Sequence, residues 1–244
     1  SSIYWAMNRL NNEYGKINES TKNLEEIIKL RRKYSTEGSI IYAKSTIAAN
    51  YGLLGDFDKA INEINEYVEL LQFPSDLHIK LGIIQLIIKC EKWGLLKEYR
   101  YIVEEFVEYI PVKYTDLFKF DGLIAEHVEK DYTKAINLYN KFLDEDKGYR
   151  SSGIYISKAS CYRKMKKYTK AIDILDDLST SAKRNKFDSN YEYAQIYKDL
   201  NDYDNALKYI NIYLEHYKNA DKEYILINKG NNLKDEIIFL NNPS

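Results

Sequence analysis

The 244-residue sequence is poor in the residues that punctuate or staple a chain, with 3 Pro, 10 Gly and 2 Cys. So few turn formers exclude an all-β protein with many tight turns. Cys90 and Cys161 stand 71 residues apart, with no second Cys or His at ligand spacing. This excludes a disulfide framework and a zinc site, and fits buried free thiols in a reducing compartment. No apolar run approaches the ~18 residues of a membrane span. The longest, 81–88, is broken by Gln85 and flanked by Lys80 and Lys89. Neither charge is in surplus, with 36 Lys and Arg against 37 Asp and Glu. A general nucleic-acid binder carries a basic excess that this chain lacks.

Catalytic signatures are missing as well. There is no G-x-S-x-G, no G-x-x-x-x-G-K-[ST], no G-x-G-x-x-G and no H-E-x-x-H. His78, His127 and His216 fall at different helical phases, so no histidine metal site is expected. The carboxylate pairs Glu25-Glu26, Glu104-Glu105 and Asp176-Asp177 are adjacent in sequence and point to different sides of a helix. The expectation is a protein that is not an enzyme and holds no cofactor or metal.

What the chain has is 45% hydrophobic and 30% charged residues, enough to bury a core without staples. It also has an internal repeat. Gly55-Asp56-Phe57-Asp58-Lys59-Ala60-Ile61 recurs as Lys130-Asp131-Tyr132-Thr133-Lys134-Ala135-Ile136, as Lys166-Lys167-Tyr168-Thr169-Lys170-Ala171-Ile172, and as Asn201-Asp202-Tyr203-Asp204-Asn205-Ala206-Leu207. Each copy sets an aromatic three residues before an Ala. A worn copy, Trp93-Gly94-Leu95-Leu96, fills the gap between Ala60 and Ala135. Twelve residues upstream of the marker stand Ala48, Ala159 and Ala194; in the fourth unit Gly122 takes that place with one extra residue in the turn. Downstream, Ile64 and Tyr67, Tyr139 and Phe142, Leu175 and Leu178, and Ile210 and Tyr213 lie on one helical stripe.

This pattern predicts antiparallel helix pairs. The small residues let two backbones approach, the aromatic plugs the turn, and stacked pairs bury the face that one pair cannot. First helices are expected near 37–53, 75–90, 113–128, 150–165 and 186–200. Second helices are expected near 57–70, 94–109, 132–144, 168–182 and 203–217. The expected organisation is one all-α solenoid over 1–244. It comprises a degenerate pair in 1–34 (helices 3–14 and 19–33), five repeats in 37–217 and a capping helix at 221–239.

At Ala43 to Ala60, AKSTIAANYGLLGDFDKA, the sequence resembles the tetratricopeptide repeat (TPR) family, and the resemblance extends over roughly Tyr42 to Tyr217. It departs from the family in repeat length and in lacking most of the usual prolines; Pro74 and Pro111 sit near such boundaries. The resemblance implies a right-handed α-solenoid whose first helices line a concave groove for a peptide or protein partner. Carried over by offset, the peptide-binding positions are Tyr42, Thr46, Lys80, Lys119, Ser160, Arg163, Tyr191, Gln195 and Lys198, with Ser45, Ala49, Ile83, Phe120, Leu123, Glu126, Ser157 and Glu192 beside them.

Arg163 belongs to a run of six basic residues between Lys158 and Lys170 with no acid, and is expected to grip a ligand carboxylate. The Lys/Asn clamp of chaperone-tail binders is not matched, because Ser45 and Ala49 occupy two of its places. The chain is also similar to the RRNPP-type peptide-pheromone receptors of Gram-positive quorum sensing. That likeness implies the cytoplasmic sensor part of a peptide-responsive transcription regulator. No nucleic-acid contact is expected through these residues, no membrane contact is expected, and a homodimer is compatible. Ser1 is not an initiator Met, which reads as a processed chain or a fragment. A passive interaction scaffold in a larger assembly is the alternative reading.

Overall fold

The computed structural model describes residues 7–8, 11–32, 37–70, 75–109, 115–146, 152–180 and 187–242. Among them every regular element is helical, as the poverty in turn formers requires. The helices are α1 (Ile17–Arg31), α2 (Glu37–Leu53), α3 (Phe57–Glu69), α4 (Ser75–Lys89), α5 (Arg100–Tyr109), α6 (Thr115–Ile124), α7 (Tyr132–Asp146), α8 (Ser152–Lys164), α9 (Tyr168–Thr180), α10 (Phe187–Asp199), α11 (Tyr203–His216) and α12 (Ile225–Asn241). Where its residues are described, the expected map holds to within a few residues except at 94–109, where the α-helix begins only at Arg100. The last helix starts at Ile225 rather than at 221, because Lys222 and Glu223 lie in a turn. The expected helix positions 3–6, 9–10, 33, 113–114, 150–151, 181–182 and 186 lie outside the described residues, as do Pro74 and Pro111.

Contacts divide the chain into two compact units. One is Ser1–Ile102 with Tyr217–Asn228, and the other is Val103–His216 with Lys229–Ser244. In the first unit α2 packs on α1, α3 and α4; in the second, α6 pairs with α7, α8 with α9 and α10 with α11.

The repeat has a direct physical basis. Five residues before each marker the backbone turns with positive φ, at Gly55 (108°), Glu91 (54°), Lys130 (59°), Lys166 (59°) and Asn201 (60°). This left-handed residue ends one helix and redirects the chain into the next. Its presence at Glu91 shows that the worn copy keeps the register, with Leu96 fully buried at the marker position. There, however, the second helix is broken: a 3-10 turn at Trp93–Leu96 precedes α5. The next residue is a side-chain N-cap in three copies. The carboxylates of Asp56, Asp131 and Asp202 accept from the N–H of Lys59 (3.4 Å), Lys134 (2.9 Å) and Asn205 (3.2 Å).

Ala48, Ala60, Ala135, Ala159, Ala171, Ala194 and Ala206 are all fully buried, as their role at helix crossings requires. Ala159 and Ala171 pack in one cluster with Leu175, Tyr193 and Ile196. A Cβ on Gly122 would collide with the ring of Tyr139. The extra residue of that repeat is taken up by one wide π-helical turn, Ala125–Glu129, which closes with Asp131 N donating to Ala125 O at 2.9 Å.

Cys90 and Cys161 are free thiols. Burial pushes Cys90 up to about 11 and pushes Cys161 up as well.

Candidate functional site

In the first unit, α2 brings Tyr42, Ser45, Thr46 and Ala49 to one face, as successive turns of a helix must. Across from them stand Ile79, Gly82, Gln85, Leu86 and Lys89 of α4, and between lies a cavity of about 160 Å³. Leu53 and Ile64 contribute to its apolar part, and Asn12 and Asn50 also line it. The expected positions on α4 are offset from this wall. Lys80 is half-buried and does not line the cavity, and Ile83 is 1% exposed in the core. With Leu96 at the marker position, the counterparts of Thr46 and Ala49 are Gly82 and Gln85, which line the cavity, rather than Lys80 and Ile83.

The hydrogen bonds around the cavity are directional. Ser45 Oγ and Thr46 Oγ1 both donate to Tyr42 O, at 2.8 and 3.0 Å. Asn50 Nδ2 donates to Ser20 Oγ and Thr21 Oγ1, each at 3.0 Å. Ser20 Oγ in turn donates to Asn8 Oδ1. Among the described residues, Asn12 Oδ1 is the buried side-chain polar atom left without a partner.

In the second unit the corresponding helices carry a row of alternating charges. Glu126, 1% exposed, accepts from Lys164 Nζ and Tyr139 Oη, both at 2.8 Å, and lies 3.5 Å from His127 Nε2. Burial alone would raise its pKa, but His127, Lys164 and the bonds from Lys164 and Tyr139 outweigh burial and hold it below the usual range. The π-helical turn contains Glu126, so the inserted residue governs where this carboxylate lies.

Arg163, expected to meet a ligand, is paired within the chain. Its Nε bonds Glu192 at 2.6 Å and its Nη1 bonds Asp199 at 3.0 Å. The guanidinium expected to grip a ligand carboxylate already grips two of the chain's own, supplied 29 and 36 residues away on α10. Lys198 bonds Glu236 on α12 at 2.7 Å. Tyr191 packs on Tyr213 with ring centroids 5.3 Å apart, and Lys229 sits 4.3 Å over its ring. Gln195 is half-buried, Ser160 is buried, and Lys119 is half-buried on α6. Phe120 and Leu123 belong to the core. Two residues of the basic run, Arg163 and Lys164, thus find their acids on neighbouring helices, which the local sequence could not reveal. Asn12, Asn50, Gln85 and Lys89 were not singled out as contact residues from the sequence; Gln85 stands 11 residues before Leu96, as Ala49 does before Ala60, and that offset could have found it.

No group of His, Cys, Asp and Glu among the described residues could hold a metal ion. None of the described helices is long and apolar enough to cross a membrane.

Residues 128–220 match the family model of the anaphase-promoting complex, cyclosome, subunit 3. No curated protein matches the sequence. A solved tetratricopeptide repeat protein from Parabacteroides merdae superposes with a TM-score of 0.66 at 14% identity, over 97% of this chain and 84% of that one. A chain of the APC/C hetero-tetramer Cut9–Hcn1 superposes with a TM-score of 0.52 at 18% identity, over 93% of this chain and 42% of that one. At such identities the likeness concerns the fold. With the register of markers, turns and caps described above, the chain is built of tetratricopeptide-like helix pairs and has the fold of the tetratricopeptide-repeat proteins.

Proposed function

We propose that this chain is a non-catalytic binding module that holds an extended segment of a peptide or protein partner against its first helices, with Tyr42 and Thr46 among the contact residues. The observation that carries this reading is the cavity between α2 and α4, whose polar groups and apolar floor sit on the face where the repeat resemblance puts ligand contacts. Sockets of this make-up, apolar with a few placed polar groups, suit single side chains of an extended ligand. A captured peptide therefore accounts for the site better than passive scaffolding does. The finer reading, the sensor part of a peptide-responsive regulator, belongs to the same proposal and rests on the resemblance to peptide-pheromone receptors.

Arg163 is not part of the proposed contact, since its charge is spent within the chain. The test is selection of peptides from a displayed random library on the immobilised chain, followed by hydrogen exchange with and without a selected peptide. Protection in α2 and α4 is expected. Failure to select peptides above background, or protection confined to the second helices α3, α7, α9 and α11, refutes the proposal.

A further inference from the structure

The direction of the hydrogen bonds around the α2–α4 cavity goes beyond the statement that a peptide binds there. Ser45 and Thr46 have spent their hydroxyl protons on Tyr42 O, so only lone pairs remain for a ligand. Asn50 has spent both Nδ2 protons on Ser20 and Thr21, so its remaining capacity is its carbonyl oxygen. Asn12 lines the same cavity, and its Oδ1 is buried without a partner. A turn about its terminal torsion, which is soft for an amide, swings that oxygen toward the space. An unbonded buried acceptor is costly to a fold, so one beside an open cavity points to a donor arriving from outside. Ser45, Thr46 and Asn50 therefore present acceptors as they stand, and Asn12 adds a fourth once its amide has turned.

The side with hydrogen-bond donors is Gln85 and Lys89, both exposed at the rim. No carboxylate of the described residues lines the cavity. An ammonium or guanidinium ligand would meet acceptors without a counter-charge and would face Lys89. A carboxylate would meet Lys89 but turn its lone pairs on the acceptors. A neutral carboxamide satisfies both sides: its NH2 enters among the acceptors and its carbonyl oxygen faces the rim. The floor of Ala49, Leu53, Ile64 and Leu86 takes its methylene stem. The volume, about 160 Å³, is close to that of an engineered cavity of about 150 Å³ that takes up benzene, so one side chain fits.

The geometry points to this cavity as a selective socket for a primary carboxamide, the side chain of Gln or Asn in a partner polypeptide. This inference rests on the peptide-binding reading above.

The test is titration of the isotopically labelled chain with propionamide, propylammonium and propionate into the millimolar range, followed by amide chemical shifts. Propionamide is expected to move resonances of α2 and α4 saturably, and the two charged analogues are expected to leave them in place. Thr46→Val removes one acceptor at a half-buried position, and Asn12→Ala removes the orphan. Each is expected to weaken propionamide about two- to tenfold, the range for one hydrogen bond, with the helical signal unchanged. Saturable binding of propylammonium or propionate in preference to propionamide overturns the inference, as does binding by none of the three. So does propionamide binding that both variants leave unaltered. If displayed peptides bind to this face without enrichment of Gln or Asn, the socket is refuted while the module stands. If propionamide binds and no peptide does, the module is refuted while the socket stands.

Discussion

Asp221 connects segments that the sequence keeps 203 residues apart. Helix α1 begins after Lys16, which makes no side-chain capping bond, so its first-turn N–H groups need an acceptor from elsewhere. Asp221 Oδ2 accepts from Asn18 N at 2.7 Å, and Asp221 N donates to Gly15 O at 3.0 Å. Gly15, with φ 72°, has no Cβ to collide with Tyr224 and Ala220. The carboxylate thus acts as an N-cap supplied from the far end of the sequence, and it sits at the positive end of the α1 dipole.

Asp221→Ala removes the acceptor and the charge together. Loss of an N-cap costs about 0.5–2 kcal/mol, and hydrogen bonds to charged groups are worth about 1.5–3 kcal/mol. The bond is solvent-exposed, so the lower part of both ranges applies, about 1–2 kcal/mol. Asp221→Asn keeps an acceptor and loses the interaction of charge with dipole, about 0.3–1 kcal/mol. The order of stability is therefore parent, Asn variant, Ala variant. High salt should narrow the gap between parent and Asn variant. Urea unfolding followed by circular dichroism measures the order, and hydrogen exchange at Asn18 reports the cap itself. An Ala variant with the parent's unfolding midpoint and the parent's Asn18 exchange rate would refute the reasoning.

Ala171 is fully buried against Leu175 and Ala159, so Ala171→Leu overpacks a helix crossing and should cost about 1–3 kcal/mol in a denaturant melt. Glu126 has a folded pKa below its ordinary value, so its contribution is complete above the unfolded value of about 4.3 and is lost as pH falls through the lower folded value. Glu126→Gln should flatten the acid limb of the stability profile, and an unchanged limb would count against the network. The pKa values of Cys90 and Cys161 are both raised by burial, so alkylation at neutral pH should be slow in the native protein and rapid after denaturation.

Much of the fold was legible in the sequence because its determinants are local. An aromatic three residues before a small residue, and a stripe at helical spacing, fall within one helix pair. Tyr132, Ala135, Tyr139 and Phe142 therefore announced their own packing. The extra residue after Gly122 was legible too, but only the folded helix could resolve it as a π-helical turn, because its neighbours Tyr139 and Lys164 hold Glu126 in place. The worn repeat kept its turn at Glu91 and its buried Leu96, and counting back from Leu96 as from Ala60 gives Gly82 and Gln85, which meet the cavity, in place of the expected Lys80 and Ile83.

Arg163 shows where local reading ends. Its sequence neighbours are basic, and its acids come from another repeat. A helix fixes which side of itself a residue faces through its own periodicity. The charge or acceptor waiting on that side is fixed by how the helices stack, so the chain's sequence determined its helix pairs, and only their packing decided which polar groups were bonded within the chain and which, like Asn12 Oδ1, were not.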